Sequence, residues 1–161
     1  MRRDREFSEF YAARGPALRR TAYLIVRDWH LAEDVTQQAF SKLYVAWPRV
    51  RAETREAYAR KAVVNTALSQ ARRRQERPVA DVPDTAAAST SDPAFDIGAA
   101  LALLPERQRA IVALRFLDDQ PVAEVARILG VAEGTVKSQT SRALDTLRAH
   151  LPELVTTEES R

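Results

Sequence analysis

Apolar positions along this chain recur three and four residues apart and seldom alternate, a pattern that predicts helices throughout. Phe7, Phe10 and Tyr11 open the first stripe. Gly15 and Pro16 are expected to interrupt it, and Leu18, Ala22 and Ile25 resume it. Asp28 is a suitable N-cap for the next helix, with Glu33 and Asp34 in its early turns, where carboxylates suit the helix dipole. Leu31, Val35, Ala39 and Leu43 would be its buried stripe. Pro48 breaks the pattern after Trp47, and a polar stretch runs over 49–56. Tyr58, Ala62, Asn65 and Leu68 then mark a helix that runs into Arg72, Arg73 and Arg74.

Periodicity stops at residues 78–93, PVADVPDTAAASTSDP, where prolines, acids and small residues predict a flexible acidic linker. Such residues bury too little surface to offset the entropy of ordering the chain. Helical spacing returns with Asp92 as a cap, Pro93 at the first helical position, and Ile97, Ala100, Leu101 and Leu104 as a stripe. Pro105 restarts the chain, and Ile111, Leu114, Phe116 and Leu117 are expected to continue the core. Pro121 opens a short helix with Val122, Val125, Ala126 and Leu129 facing inward. Gly130 can supply the left-handed conformation that ends it. A last helix faces inward through Val136, Ala143, Leu144, Leu147 and Leu151, and Pro152 closes it before a frayed acidic tail, 152–161. The expected fold is all-α: two small helical domains, 1–77 and 94–151, joined by the linker.

Composition narrows the class. There is no cysteine, hence no disulfide framework or thiolate metal site, and the two histidines, His30 and His150, lack ligand-like spacing. Apolar runs such as Ala22 to Val26 fall far short of the roughly 20 residues of a membrane span. The basic start, MRRDREF, is not followed by an apolar segment, so it does not read as a secretory signal, and a cytoplasmic location is expected. No phosphate-cradling glycine loop, convergent carboxylate pair or nucleophile–base set can be assembled. The reading is therefore of a protein that is not an enzyme and carries no cofactor or metal.

Charge adds what periodicity cannot. The net charge is only +3, yet residues 1–77 hold 17 Lys and Arg against 9 Asp and Glu, whereas 78–98 hold four Asp and no base. A basic first half suits a polyanion, although a charge run is also commonly just a solvated face. Trp47 and Tyr58 lie among Arg49, Arg51, Arg55, Arg60 and Lys61. Aromatic rings beside cations can stack on unpaired nucleotides, and either ring could equally be a core residue.

The second domain carries the sharpest motif. Pro121 to Arg148, PVAEVARILGVAEGTVKSQTSRALDTLR, reads as a helix-turn-helix with its turn at Gly130 and Val131. Thr135, Lys137, Ser138, Gln139, Ser141 and Arg142 lie off the core stripe. Lys137 and Arg142 suit guanine edges or phosphates, and Ser138 is short enough to approach either. Thr135 and the free N–H groups near Glu133 and Gly134 could hold a phosphate. Gly134 weakens the helix, which fits either close approach of a backbone or merely a weak cap region.

Three segments in order, DWHLAEDVTQQAFSKLYVAW, AYARKAVVNTALSQARRR and LPERQRAIVALRFLDDQPVAEVARILGVAEGTVKSQTSRAL, resemble bacterial RNA polymerase sigma factors of the extracytoplasmic-function class. ARGPALRRTAYLIVRD and GTVKSQTSRAL are similar to the actinobacterial SigE-like group. The resemblance implies a sigma2 bundle and a sigma4 helix-turn-helix. It implies that Asp34, Gln37 and Gln38 bind the clamp helices of the polymerase β′ subunit, with Gln38 standing where an acid is common. Residues 49–56 would capture an extruded base of the −10 element, and the helix from Tyr58 to Arg74 would hold the opened promoter, Asn65 included. Tyr58 stands where tryptophan is frequent, and Ser69 where aspartate is frequent. Lys137, Ser138 and Arg142 match positions that read the −35 element, and a hydrophobic sigma4 face would meet the β flap. The implied partners are core RNA polymerase, promoter DNA and, where one exists, an anti-sigma factor. A stand-alone helix-turn-helix regulator and a polymerase-binding adaptor that reads no DNA are the alternatives.

Overall fold

The computed structural model describes residues 1–76 and 99–150, all of it helices and the turns between them. The chain divides into two compact units, Met1–Ala80 and Asp81–Arg161. The linker expected at 78–93, the cap and stripe residues Asp92, Pro93 and Ile97, and Leu151, Pro152 and the tail lie outside the described residues.

The first unit is a bundle of three helices, each packed on the other two: α1 (Arg2–Val26), α2 (Trp29–Ala46) and α3 (Arg55–Glu76). Contrary to expectation, Gly15 and Pro16 do not interrupt α1. Pro16 lies inside one continuous helix. An interior proline costs roughly 3 kcal/mol through its missing N–H and its ring. Here the helix is held on both sides of the defect. Leu18, Ala22 and Ile25 are buried after it, and before it Phe7, Phe10 and Tyr11 pack their rings on α2.

Arg27 adopts a left-handed conformation that ends α1, and its N–H donates to the Tyr23 carbonyl at 2.6 Å. Asp28 then caps α2 as expected, its carboxylate accepting from the Leu31 N–H at 3.0 Å. Val35, Ala39, Phe40 and Leu43 fill the core from α2. Two 3₁₀ turns, Trp47–Arg49 and Ala52–Thr54, carry the chain to α3. The buried face of α3 is Ala59, Arg60, Val63, Val64, Ala67, Leu68 and Ala71. That differs from the expected stripe: Tyr58 and Asn65 are exposed, and Ala62 is half-buried.

In the second unit, residues 99–101 are helical and Leu101 and Leu104 are buried. A short helix, α4 (Glu106–Val112), runs directly into a π-helical turn, Ala113–Leu117. Then come α5 (Val122–Leu129) and α6 (Glu133–His150). Ile111, Leu114, Val125, Ile128, Val136 and Ala143 make the core. Phe116 and Leu117 do not continue it; they are 48% and 45% exposed. The Asp118 N–H reaches back five residues to the Ala113 carbonyl at 3.0 Å, and this widened turn rotates both side chains off the face set by Ile111 and Leu114. Gly130 ends α5 in the left-handed region at φ 67°, as expected. No described helix is long and apolar enough to cross a membrane.

Candidate nucleic-acid interface

Two surfaces collect the residues singled out in the sequence, one on each unit. On the second unit, Gly134, Lys137, Ser138, Ser141 and Arg142 fall at helical spacing along α6, and all five are exposed. Val136 and Ala143 anchor the opposite face and so fix which side of α6 meets solvent. A side chain at Gly134 would meet nothing within 4 Å, so internal packing does not require glycine there. Thr135 and Gln139 sit at the margin of this face. Both are half-buried, and the Gln139 side-chain oxygen accepts from the Gln108 amide at 2.9 Å, tying α6 to α4. Ser138 donates to the Thr135 carbonyl at 3.1 Å, a weak local bond that an outside acceptor can replace. Lys137 and Arg142 are thus open cations on the second helix of a helix-turn-helix, the one that enters the major groove in this motif.

On the first unit the expected residues separate into two groups. Arg49, Arg51, Tyr58, Lys61, Asn65, Arg72, Arg73 and Arg74 are exposed. Tyr58 keeps 39% of its surface open. Arg60 and Arg55 instead turn inward. Arg60 is 8% exposed and its guanidinium donates to Glu56 at 3.0 Å; the other Glu56 oxygen accepts from Arg14 of α1 at 2.6 Å. The Arg55 guanidinium covers the face of Trp47 at 3.8 Å and lies 3.8 Å from Glu6. These contacts pin the first turn of α3 to α1, and they leave Arg49 and Arg51 projecting from the short segment between two fixed ends.

Trp47 resolves the choice left open between core and nucleotide stacking. It is 3% exposed and meets Phe7 and Phe10 edge-on at 5.4 and 5.6 Å. It is a core residue, and only Tyr58 of the pair offers a ring to the outside.

The three polar residues expected to bind polymerase lie on the exposed side of α2. Asp34, Gln37 and Gln38 are all open. Gln37 donates to Glu33 at 3.2 Å, and Glu33 also accepts from Arg19 of α1 at 2.9 Å. The Arg19 hydrogen bond holds the Glu33 carboxyl below the usual carboxylate range. Among the described residues no three of His, Cys, Asp and Glu gather closely enough to hold a metal ion.

Comparison with known proteins decides the family. Residues 10–77 match the family described as Sigma-70 region 2, and residues 94–147 match Sigma-70, region 4. The chain belongs to the sigma-70 family of RNA polymerase sigma factors. It is 34% identical over 153 residues to the RNA polymerase sigma-E factor of Streptomyces avermitilis, covering 91% of this chain and 85% of that one. It is 32% identical over 157 residues to the extracytoplasmic-function sigma factor SigM of Mycobacterium tuberculosis, covering 92% and 76%. Among solved structures it is similar to the sigma factor RpoE from Bartonella quintana, crystallised with the anti-sigma factor NepR. That likeness has a TM-score of 0.75 at 26% identity over 91% of this chain and 97% of the other. This sigma factor is therefore of the extracytoplasmic-function type, and its role is promoter-specific initiation of transcription. The free-regulator alternative is not favoured: the chain carries both regions, and its basic first unit matches one of them.

Proposed function

We propose that this sigma factor holds a promoter at two places, reading the −35 element with α6 and holding the opened −10 element with α3 and the segment before it. The observation that carries the reading is the open face of α6, where Lys137, Ser138, Ser141 and Arg142 are exposed with no core role. Bidentate donors such as arginine read guanine edges in the major groove, and phosphate contacts fix the register. On the first unit, Arg49, Arg51, Tyr58, Lys61 and Arg72 to Arg74 combine cations with an open ring, the chemistry that holds single strands. Capturing bases from a melted strand avoids reading them inside a stacked duplex. Asp34, Gln37 and Gln38 of α2 dock on the clamp helices of β′, and a face of the second unit meets the β flap. The polymerase then supplies nucleotidyl transfer, and this chain supplies position. The same logic places it in the cytoplasm, where the polymerase works. Because RpoE of Bartonella quintana was crystallised with NepR, an anti-sigma partner is proposed for this chain too.

Purified chain mixed with core polymerase is expected to start transcription at defined promoters on genomic templates, with neither component doing so alone. Start-site mapping of the transcripts would give the −10 and −35 sequences. Transcripts with no shared upstream elements, or none that require the chain, would overturn the reading.

A further inference from the structure

The end of the bundle where α1 meets α2 carries an aromatic pair that no part of the two-point reading uses. Tyr23 of α1 and Trp29 of α2 stack face to face, with ring centroids 4.0 Å apart and planes 4° from parallel. Trp29 nonetheless leaves 49% of its surface open. The ring is held still: Arg27 ends α1 in the left-handed conformation, Asp28 caps α2, and Trp29 is the first residue of that helix. A large apolar ring fixed at the surface leaves about half of its area in contact with water, more than packing within the bundle explains.

Its neighbours are basic. The guanidinium of Arg74, from the last turns of α3, lies 3.4 Å from Asp28 and 3.4 Å from the Val26 carbonyl, which brings the C-terminal end of α3 to the corner between α1 and α2. Arg19 sits 5.7 Å from the centre of the Trp29 ring. The acids at this corner are already engaged, Asp28 with Arg74 and Glu33 with Arg19. Arg72 and Arg73, in the last turns of α3 with Arg74, are exposed. A rigid ring beside surplus cations complements a strand with flat bases or sugars and negative phosphates. An acidic protein surface would use the cations and leave the ring without a matched partner.

We infer that Trp29, backed by Tyr23 and set at the corner reached by the basic end of α3, is a further DNA contact that extends the promoter grip from α3 around the corner between α1 and α2. The inference rests on the proposal that α3 holds promoter DNA. Phosphates lie against the cations of that basic end, and a sugar or base rests on the exposed part of the indole.

The test uses the full chain assembled with core polymerase on a promoter fragment obtained by start-site mapping. A benzophenone amino acid at position 29 is expected to crosslink to DNA on irradiation. Trp29→Ala is expected to shorten the lifetime of the heparin-challenged promoter complex about fivefold, or roughly 1 kcal/mol at 1.4 kcal/mol per tenfold. Trp29→Phe should recover most of it, and affinity for core polymerase should stay unchanged in both. Crosslinking to a polymerase subunit with loss of core affinity would overturn the inference in favour of a protein contact. No crosslink and an unchanged lifetime would overturn it outright. The unsubstituted chain is the control: its failure to form a promoter complex would count against the two-point reading, whereas failure confined to position 29 would count against this inference only.

Discussion

Arg142 is exposed on α6, one turn beyond Ser138, and no described acid pairs with it. Whether such a cation reads sequence or only grips phosphate depends on what its fork meets, and the two cases leave different signatures. A bidentate contact to one guanine loses about 1–3 kcal/mol on truncation, concentrated at one base pair. A phosphate clamp loses affinity equally on all sequences. Arg142→Ala is expected to relax selectivity at a single −35 position, measured by competition binding of the holoenzyme to promoters mutated one base pair at a time. Uniform weakening across the set would reassign Arg142 to the backbone. Arg60 shows why residue type alone misleads on this point. It lies in the same basic run as Lys61, yet it is buried on Glu56 and serves the bundle, because one position of difference on a helix is a rotation of about 100°.

At the scale of elements, the turn between α5 and α6 sets how the open face of α6 is presented. Gly130 sits at φ 67°, with nothing within 4 Å of where a side chain would begin, so a substitution there meets backbone strain without a clash. Gly130→Ala is expected to cost about 1 kcal/mol in thermal or urea unfolding of the second unit, from the left-handed penalty of a residue with a Cβ. A neutral result would mean that the turn relaxes and α6 shifts with it. The existence and order of these helices, the Asp28 cap and the Gly130 stop were legible from spacing and local chemistry. The phase of α3 was not. It is rich in alanine and arginine, so small residues bury as readily as large ones and no strong stripe marks the inner side. Pro16 misled for the opposite reason: local preference argued for a break, and packing of the rings before it and the aliphatic residues after it overrode the local cost. Phe116 and Leu117 were assigned to the core by hydrophobicity alone. A π turn, which follows no three-or-four spacing, turned them outward. At the candidate site, the exposure of Lys137, Ser138 and Arg142 was legible because α6 has a clear inner face, whereas Trp47 and Tyr58 could be told apart only once Phe7 and Phe10 were seen to enclose one of them.

For the molecule as a whole, the two surfaces belong to separate compact units, Met1–Ala80 and Asp81–Arg161, and this constrains how their contributions combine. Substitutions that share no partner and no packed core usually add in free energy to within about 0.3–0.5 kcal/mol. Arg72 is exposed on α3 of the first unit and Arg142 on α6 of the second. Their proposed roles also differ in kind. Residues 1–77 carry 17 cations against 9 acids, so much of the salt-sensitive attraction to DNA should come from the first unit. Arg72→Ala is expected to weaken promoter complexes on all sequences and to lower the slope of log affinity against log salt by about 1. Arg142→Ala should instead act through one base pair. In a double-mutant cycle on a matched promoter the two losses should add, with a coupling energy near zero. A coupling above about 1 kcal/mol would show that one unit alters how the other is seated once both are on DNA, so that the promoter is gripped by one cooperative surface. Additive losses with distinct salt and sequence signatures would establish two grips that act independently on a single polymerase.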